Sequence, residues 1–235
     1  MLQVINLAVD HGKLRALWDV SLCVRKGERV GLLGANGAGK STTLGAVLGI
    51  YPATSGSICF NDVPITGRSI SANVAAGIAL VPEGRRLFPE MSVSENLKMG
   101  SYSPGARPLL AAQLDRVYAL FPILAERRAQ PAGTLSGGQQ QMVAIGRALM
   151  ASPSLMLLDE PFLGVAPVVA EQVMASLREI AELGVTILLV EQNIHRALEF
   201  VQRAYVIENG RTILEGDKAS LTGDTQFASK FLGLE

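Results

Sequence analysis

The chain has 235 residues, of which 49% are hydrophobic and 18% charged, a composition that supports a sizeable core and excludes an intrinsically disordered protein. This length suits one domain with room for an inserted subdomain. Lys and Arg together number 21, as do Asp and Glu, so the formal net charge is zero, which argues against a general nucleic-acid binder.

The first third of the chain alternates between strand and helix patterns. Its N-terminus lacks a positive segment followed by an apolar run, so no signal peptide is predicted. The segment TLGAVLGI (residues 43–50) has the apolar spacing of a helix. Strands are predicted at Leu2–Val9, Leu14–Val24, Arg29–Leu33, Ser57–Phe60 and Ile78–Val81.

A block of helices, residues 84–152, interrupts this alternation. Helices are predicted at Val93–Met99, Pro108–Leu120 and Gln139–Met150, and the second opens with a proline. The block has the pattern of a subdomain set into a sheet domain. We therefore predict a single domain over 1–235, with a core of 1–83 and 153–235 and a helical subdomain of 84–152.

The alternating pattern then resumes. Asn209-Gly210 is the strongest hairpin signal in the chain. Strands are predicted at Leu155–Leu158, Val185–Val190, Ala204–Glu208 and Arg211–Leu214, and helices at Val168–Leu183 and Asn193–Phe200. The fold class is predicted as α/β, with a mainly parallel sheet, antiparallel additions and the inserted helices.

Two further features limit the function classes. The apolar stretches are too short to span a bilayer, so the protein is expected to be soluble or peripheral to a membrane. Cys23 and Cys59 are far apart and form no CxxC pair, so we expect buried free thiols rather than a metal or redox site.

The strongest local motif is GANGAGKS (residues 34–41), which follows a predicted strand and precedes a helix. It matches the phosphate loop pattern GxxxxGK[ST], in which glycines turn backbone N–H groups toward phosphate oxygens. Lys40 is expected to reach the β- and γ-phosphates of ATP, and the Ser41 hydroxyl to ligate Mg²⁺. The alternative is a plain strand–turn–helix loop. The predicted nucleotide-contacting residues here are Gly34, Asn36, Gly37, Ala38, Gly39, Lys40, Ser41 and Thr42.

Two acids end the apolar run LMLL (residues 155–158). Asp159 and Glu160 should lie at the carboxyl edge of the sheet, where ligands bind in such folds. Asp159 is expected to hold the metal ion, and Glu160 to position and polarise the attacking water.

A second serine–glycine segment, LSGGQ (residues 135–139), precedes another predicted helix. A serine and two glycines at a helix start can form an anion site, here with Ser136, Gly137, Gly138 and Gln139 as nucleotide contacts. Two such sites in one chain suggest a dimer with each nucleotide between two subunits. The alternative, an ordinary N-cap serine followed by flexible glycines, stays open.

In this order, the phosphate loop, LSGGQ and LLDE (residues 157–160) resemble the nucleotide-binding subunit of ABC transporters, over essentially the whole chain. Within that family, VPEGRRLFPEMSVSENL (81–97), LVEQN (189–193) and the ending FLGLE (231–235) resemble the second ATPase subunit of branched-chain amino acid importers.

The resemblance implies further site residues. His11 occupies the place of an aromatic residue that stacks on adenine, although it could equally be a turn histidine before Gly12. Glu83 stands where most members have glutamine, and would add a third carboxylate near Asp159, Glu160 and Mg²⁺. We expect it to approach the metal ion only when ATP and Mg²⁺ are present; the alternative is a solvated loop acid with no metal contact. Gln192 stands at the usual catalytic histidine, and can orient groups but cannot take a proton near neutral pH.

The resemblance also implies partners. The loop Pro161–Pro167 would cross the dimer interface, although Phe162 stands where a small polar residue is common. Segment 84–97 would contact transmembrane permease subunits, with a separate solute-binding protein supplying the solute. The expected assembly is a homodimer, or a heterodimer with a related ATPase. It would sit peripherally on the cytoplasmic face of the inner (plasma) membrane, without nucleic acid.

Two other function classes are weighed against a transport motor. A non-transport ABC ATPase acting on nucleic acid or ribosomes usually carries two cassettes or a long coiled-coil insertion, and this chain has neither pattern. A nucleotide-binding regulator without turnover is disfavoured by Glu160. The sequence does not name the transported solute.

Overall fold

The computed structural model describes residues 1–223, so the ending FLGLE lies outside the described residues. The chain forms two compact units. The first comprises Met1–Ile70 and, within the described residues, the chain from Thr186 onward, and the second comprises Ser71–Val185. The predicted division into a core and a helical subdomain of 84–152 stays a prediction.

The described chain contains ten strands and nine α-helices. The strands are β1 (Leu2–His11), β2 (Leu14–Val24), β3 (Arg29–Leu33), β4 (Ala53–Phe60), β5 (Val63–Pro64), β6 (Ile78–Val81), β7 (Leu155–Asp159), β8 (Thr186–Glu191), β9 (Arg203–Glu208) and β10 (Arg211–Asp217). The helices are α1 (Lys40–Leu48), α2 (Ile70–Ala75), α3 (Val93–Met99), α4 (Leu110–Leu120), α5 (Pro122–Glu126), α6 (Gly137–Leu149), α7 (Pro167–Glu182), α8 (Ile194–Phe200) and α9 (Lys218–Gly223).

The first unit is built on a mixed sheet with the strand order β5-β4-β1-β2-β10-β9-β3-β8. Its parallel centre is β9-β3-β8, in which Leu33 of β3 pairs with both Val206 and Glu191. β8 is buried along its whole length, as expected for a central parallel strand covered on both faces. β1, β2, β4 and β5 add antiparallel pairs, and β10 pairs antiparallel with β9. The predicted α/β class is confirmed, with its antiparallel additions.

The second unit contains the parallel pair β6 and β7 together with helices α2 to α7. β7 is fully buried, and its Leu158 pairs with Val81 of β6. α6 is buried around most of its circumference, with Val143, Ile145 and Leu149 among its buried residues. Among residues 1–223, no helix is long and apolar enough to cross a membrane.

Several predicted boundaries change in the structure. The strand expected at Ser57–Phe60 begins at Ala53, because residues 53–57 pair with β1 although four of them are exposed and polar or glycine. The helix expected from Pro108 begins as a 3₁₀ turn and becomes α-helical at Leu110. The hairpin at Asn209-Gly210 is confirmed, with φ of 47° and 70° at the two turn residues.

The prediction of buried thiols is wrong. Cys23 and Cys59 are both free but only half-buried, and they lie on β2 and β4, in the antiparallel part of the mixed sheet. Neither cysteine enters the candidate site described below.

Candidate functional site

The phosphate loop connects β3 to α1 in the first unit, as predicted. Gly39 is the N-cap of α1 and has a φ of 105°, which side chains rarely adopt. A Cβ atom at Gly39 would collide with Leu17, and one at Gly34 would collide with the carbonyl oxygen of Ile207. Glycine is therefore required at both ends of the loop, because residues of β2 and β9 pack directly against its backbone.

Lys40 is the first residue of α1, and its side chain folds back into the loop. It is only 5% exposed. Its ammonium group donates hydrogen bonds to the carbonyl oxygens of Gly34, at 2.9 Å, and Ala35, at 3.2 Å. The loop thus holds a positive charge among its backbone groups, an arrangement that attracts an anionic ligand.

The start of α1 is suited to an anion for a second reason. In the described chain no side chain caps this helix. The first N–H groups of a helix have no intrahelical partners and carry the positive end of its dipole. The loop residues Ala35, Asn36 and Gly37 are exposed, as is Ser41 in the first turn. These features fit a phosphate group.

His11 ends β1 next to the first turn of α1. Its Nε2 atom lies 3.1 Å from the Thr42 hydroxyl oxygen. Its ring meets the Tyr51 ring edge-on, with 4.5 Å between the ring centroids. The sequence reasoning missed Tyr51, which packs against Gly45 of α1. An aromatic residue just after the helix was the available signal.

Gln192 is exposed and directly follows β8. Because Glu191 of β8 pairs in parallel with Leu33 of β3, Gln192 and Gly34 leave the sheet at the same edge. The structure therefore brings Gln192 to the edge where the phosphate loop begins. The side chain of Asn193 next to it caps α8 by accepting a hydrogen bond from the backbone N–H of Arg196, at 3.1 Å.

In the second unit, Asp159 is the last residue of β7 and is 7% exposed. The strand thus runs one residue further than predicted. Glu160 is half-buried and has a φ of 49°, a left-handed conformation that is uncommon for a residue with a side chain. Such strain persists where the surroundings hold it, and it often occurs at functional positions.

Glu83 lies beyond the carboxyl end of β6, the partner of β7, and is exposed. The pairing of Val81 with Leu158 places Glu83, Asp159 and Glu160 at one edge of the strand pair. Across residues 1–223, however, no three His, Cys, Asp or Glu side chains are grouped so that they could hold a metal ion. The role of Glu83 as a third carboxylate toward the metal ion therefore stays a prediction.

The LSGGQ segment, residues 135–139, begins α6. Ser136 is the exposed N-cap, and its hydroxyl oxygen accepts a hydrogen bond from the Gln139 backbone N–H at 3.4 Å. The Gln139 side chain accepts one from the Ser136 N–H at 3.1 Å. This reciprocal capping box starts the helix at Gly137, two residues earlier than predicted. A Cβ atom at Gly138 would collide with Val169 of α7.

The loop that follows Glu160 is only partly exposed. Phe162 is buried, with 4% of its surface exposed, whereas Leu163 is 54% exposed. Phe162 is therefore a buried residue rather than a surface residue of this loop. This burial accounts for a large apolar residue in a loop that was expected to be small and polar.

The sequence model of the ABC transporter family matches residues 17–163. The chain is 46% identical to the high-affinity branched-chain amino acid transport ATP-binding protein BraG of Pseudomonas aeruginosa, over 99% of this chain and 100% of BraG. The ADP-bound form of MJ1267, an ATP-binding cassette of an ABC transporter, is 30% identical with a TM-score of 0.85, covering 99% of this chain and 98% of that one.

A further solved structure is the dimeric, post-hydrolysis state of the ATP-binding cassette MJ0796, bound to ADP and Pi. It is 25% identical, with a TM-score of 0.79, and the match covers 92% of this chain and 98% of that one. The family match extends over more than half of the chain, and the order of the phosphate loop, LSGGQ and LLDE agrees with it. The chain therefore belongs to the ABC transporter family and is one of its ATPase subunits.

Proposed function

We propose that the chain is the ATP-hydrolysing motor subunit of an importer for branched-chain or related amino acids. The observation that carries this proposal is the identity of 46% with BraG along essentially the full length of both proteins. The match spans the phosphate loop, the LSGGQ segment and segment 84–97, which we assign to the permease contact.

ATP binding is assigned to the phosphate loop. The Lys40 ammonium now donates to Gly34 and Ala35, and would exchange these carbonyl oxygens for β- and γ-phosphate oxygens. The backbone N–H groups around Gly37 and Gly39 would donate to the same phosphates. His11, already beside Thr42, would stack on adenine, and Tyr51 would support its ring from the edge.

Mg²⁺ is assigned to Ser41 and Asp159. Hydroxyl and carboxylate oxygens are the hard ligands that this ion prefers, so the residues present fit it. The ion would neutralise part of the phosphate charge. The exposed hydroxyl of Ser41 and the strand-terminal carboxylate of Asp159 would each offer one ligand, and water and phosphate would complete the shell.

Hydrolysis is assigned to Glu160. Its carboxylate would accept a proton from the attacking water as the oxygen bonds to the γ-phosphorus, releasing ADP and inorganic phosphate. Its left-handed backbone directly follows Asp159, the last residue of β7. Gln192 would orient water or phosphate through its amide, without taking a proton.

We assign the LSGGQ segment to the nucleotide of a second subunit, so that the motor closes as a homodimer or as a heterodimer with a related ATPase. The exposure of Ser136 supports this assignment. ATP favours the closed state only through contacts that the open state lacks, and this segment would supply them. Permease subunits would dock on segment 84–97 at the cytoplasmic face of the inner membrane, and a solute-binding protein would deliver the solute.

Transport reconstitution tests the proposal. The chain would be co-purified with the permease subunits encoded beside it and placed in liposomes with the cognate solute-binding protein. We expect ATP-dependent uptake of radiolabelled leucine, isoleucine or valine, and its loss with Lys40→Ala. ATP-dependent uptake that is confined to an unrelated solute would contradict the solute class, and ATP turnover without any uptake would contradict the motor role.

A further inference from the structure

The segment after Glu83 has an unusual backbone. Gly84, Arg85 and Arg86 have successive φ values of 72°, 67° and 44°. Two of these three residues carry side chains, for which the left-handed region is unfavourable. A close turn accompanies this conformation, since the Arg86 N–H donates to the Gly84 carbonyl oxygen at 2.7 Å. Strain of this kind persists only where neighbouring groups hold the backbone in place.

α6 supplies one of the groups that hold this turn. The guanidinium group of Arg147 donates from Nη2 to the carbonyl oxygen of Arg85, at 3.0 Å. The same guanidinium lies 5.8 Å from the centre of the Phe88 ring. Burial lowers the pKa of Arg147, a sign that this charge is withdrawn from water. The helix that begins at the LSGGQ segment therefore fixes the backbone at the start of segment 84–97.

The Arg85 side chain also connects this turn to α6 and to the loop after Glu160. Its Nη1 atom donates to Gln140 Oε1 at 3.1 Å, and its Nη2 atom donates to the carbonyl oxygen of Gly164 at 3.3 Å. Gln140 is the residue after LSGGQ, and Gly164 lies in the loop that follows Glu160. A Cβ atom at Gly137 would lie 3.0 Å from the same Nη2 atom, so the guanidinium also rests against the LSGGQ backbone.

Arg85 and nearby backbone carbonyl groups favour the same orientation of the Gln140 amide. A guanidinium group can only donate hydrogen bonds, so the amide must present its oxygen to Arg85. The amide nitrogen is then turned toward the backbone that leads into Ser136. It lies 3.3 Å, 3.4 Å and 3.3 Å from the carbonyl oxygens of Ala132, Gly133 and Leu135. The Gln140 side chain thereby links the Arg85 guanidinium to the backbone that carries the LSGGQ serine.

We propose that Arg85 is a positioning residue that couples segment 84–97 to the LSGGQ segment and to the loop after Glu160. The inference rests on the proposed function, which gives these segments their roles. If residues 84–86 leave the left-handed conformation, the Arg85 side chain withdraws from Gln140 and Gly164 together. The LSGGQ backbone and the loop after Glu160 then lose a shared anchor, so movement of the permease segment reaches both.

The test measures dimer formation and nucleotide binding separately. In a Glu160→Gln background, size-exclusion chromatography across ATP concentrations with Mg²⁺ gives the ATP concentration for half-maximal dimer. With Arg85→Ala added, we expect this concentration to rise about tenfold, a typical coupling between sites. Binding of a fluorescent ADP analogue to the monomer should stay within about twofold, because the phosphate loop belongs to the other unit.

Two further variants control for charge and for folding. Arg128→Ala removes an exposed arginine from the same unit, and should leave both measurements unchanged. Arg85→Lys keeps the charge but replaces the planar fork by a single ammonium group, which cannot hold both acceptors in the same geometry. We expect an intermediate shift. If Arg85→Ala loses its cooperative thermal unfolding transition, the test uses Arg85→Lys instead, and compares its ATP concentration for half-maximal dimer with that of the parent.

A double-mutant cycle separates positioning from general stability. If Arg85 acts through Gln140, then Arg85→Ala and Gln140→Leu together should shift the ATP requirement no more than the larger single change does. Failure of the Glu160→Gln parent to dimerise with ATP would contradict the proposed function, and the inference with it. A parent that dimerises, beside an Arg85→Ala variant that does so at the same ATP concentration, would overturn the inference alone.

Discussion

The phosphate loop and the LSGGQ segment use similar residues but start their helices differently. Both place glycine and serine where a helix begins. α1 begins at a left-handed glycine, Gly39, and no described side chain caps it. α6 begins at Ser136, whose capping box with Gln139 satisfies one backbone N–H of the helix and the N–H of Ser136 itself.

This difference separates the roles of the two segments. At α1 the helix N–H groups and the Lys40 ammonium converge on one loop, which suits a ligand bound by the chain alone. At α6 part of the hydrogen-bonding capacity is already used, and Ser136 faces outward. We therefore expect an isolated subunit to bind nucleotide through the phosphate loop, and the LSGGQ segment to add affinity only within a dimer.

The change Lys40→Ala should have the largest effect. We expect ATP turnover to fall by about 100-fold or more, because a cation aimed at the transferring phosphate is lost. Two carbonyl oxygens also lose a hydrogen bond, so the free energy of unfolding should fall by only about 1–2 kcal/mol. Turnover assays and thermal unfolding measure the two effects. Parental turnover in this variant would contradict the assignment of the loop.

The change Glu160→Gln should have the second-largest effect. The amide can hydrogen-bond to water but cannot accept its proton, so we expect turnover to fall by about 100-fold. ATP should still bind, and closure should outlast the slow hydrolysis. Size-exclusion chromatography with ATP and Mg²⁺ should then show an accumulated dimer. A monomer that turns over normally would rule out this role for Glu160.

The change Ser136→Arg tests the LSGGQ half of the comparison. Bulk and charge at the exposed N-cap should raise the ATP concentration required for the dimer by about tenfold or more, while the monomer keeps its nucleotide affinity. Ser136→Ala is the matched control, since it removes the cap, worth about 1 kcal/mol of stability, without adding bulk. Equal loss of the dimer in both variants would point to the helix start rather than to a clash.

The sequence predicted the phosphate loop closely because its signals are local. A short apolar strand, the glycines and Lys40-Ser41 define the loop between Leu33 and the helix. The start of α6 was predicted two residues late, since Gly137 and Gly138 have low helix propensity. The capping box formed by Ser136 and Gln139 overrides that preference.

Local sequence patterns could not predict contacts between residues that are distant in the chain. Nothing near His11 in sequence indicates Tyr51, which reaches it across the first turns of α1. From the sequence alone, Arg85 would be taken for an ordinary surface residue, one of two adjacent arginines. In the structure its side chain donates hydrogen bonds to Gln140 and Gly164. Such contacts depend on a long-range path of the backbone that hydrophobic periodicity does not specify.

Glu83→Gln should have the smallest effect, and tests whether Glu83 belongs to the proposed Mg²⁺ site. Glu83 is exposed and shares an edge with Asp159 and Glu160 without clustering with them. Three carboxylates held together without a cation would repel one another and raise at least one pKa. This repulsion is the reason to expect that Glu83 approaches the other two acids only when ATP and Mg²⁺ are bound.

If Glu83 approaches the bound ion, its replacement by glutamine removes a charged ligand. We then expect the Mg²⁺ concentration for half-maximal ATPase to rise by about two- to threefold, because carboxylate ligands set much of a site's affinity for divalent cations. Glu126→Gln, which neutralises another exposed acid in the same unit, should leave that concentration unchanged. The comparison is made at saturating ATP, after ATP affinity has been measured for each variant. If Glu83→Gln keeps both the Mg²⁺ dependence and the ATP affinity of the parent, Glu83 is a solvated loop acid without a role in binding the metal ion.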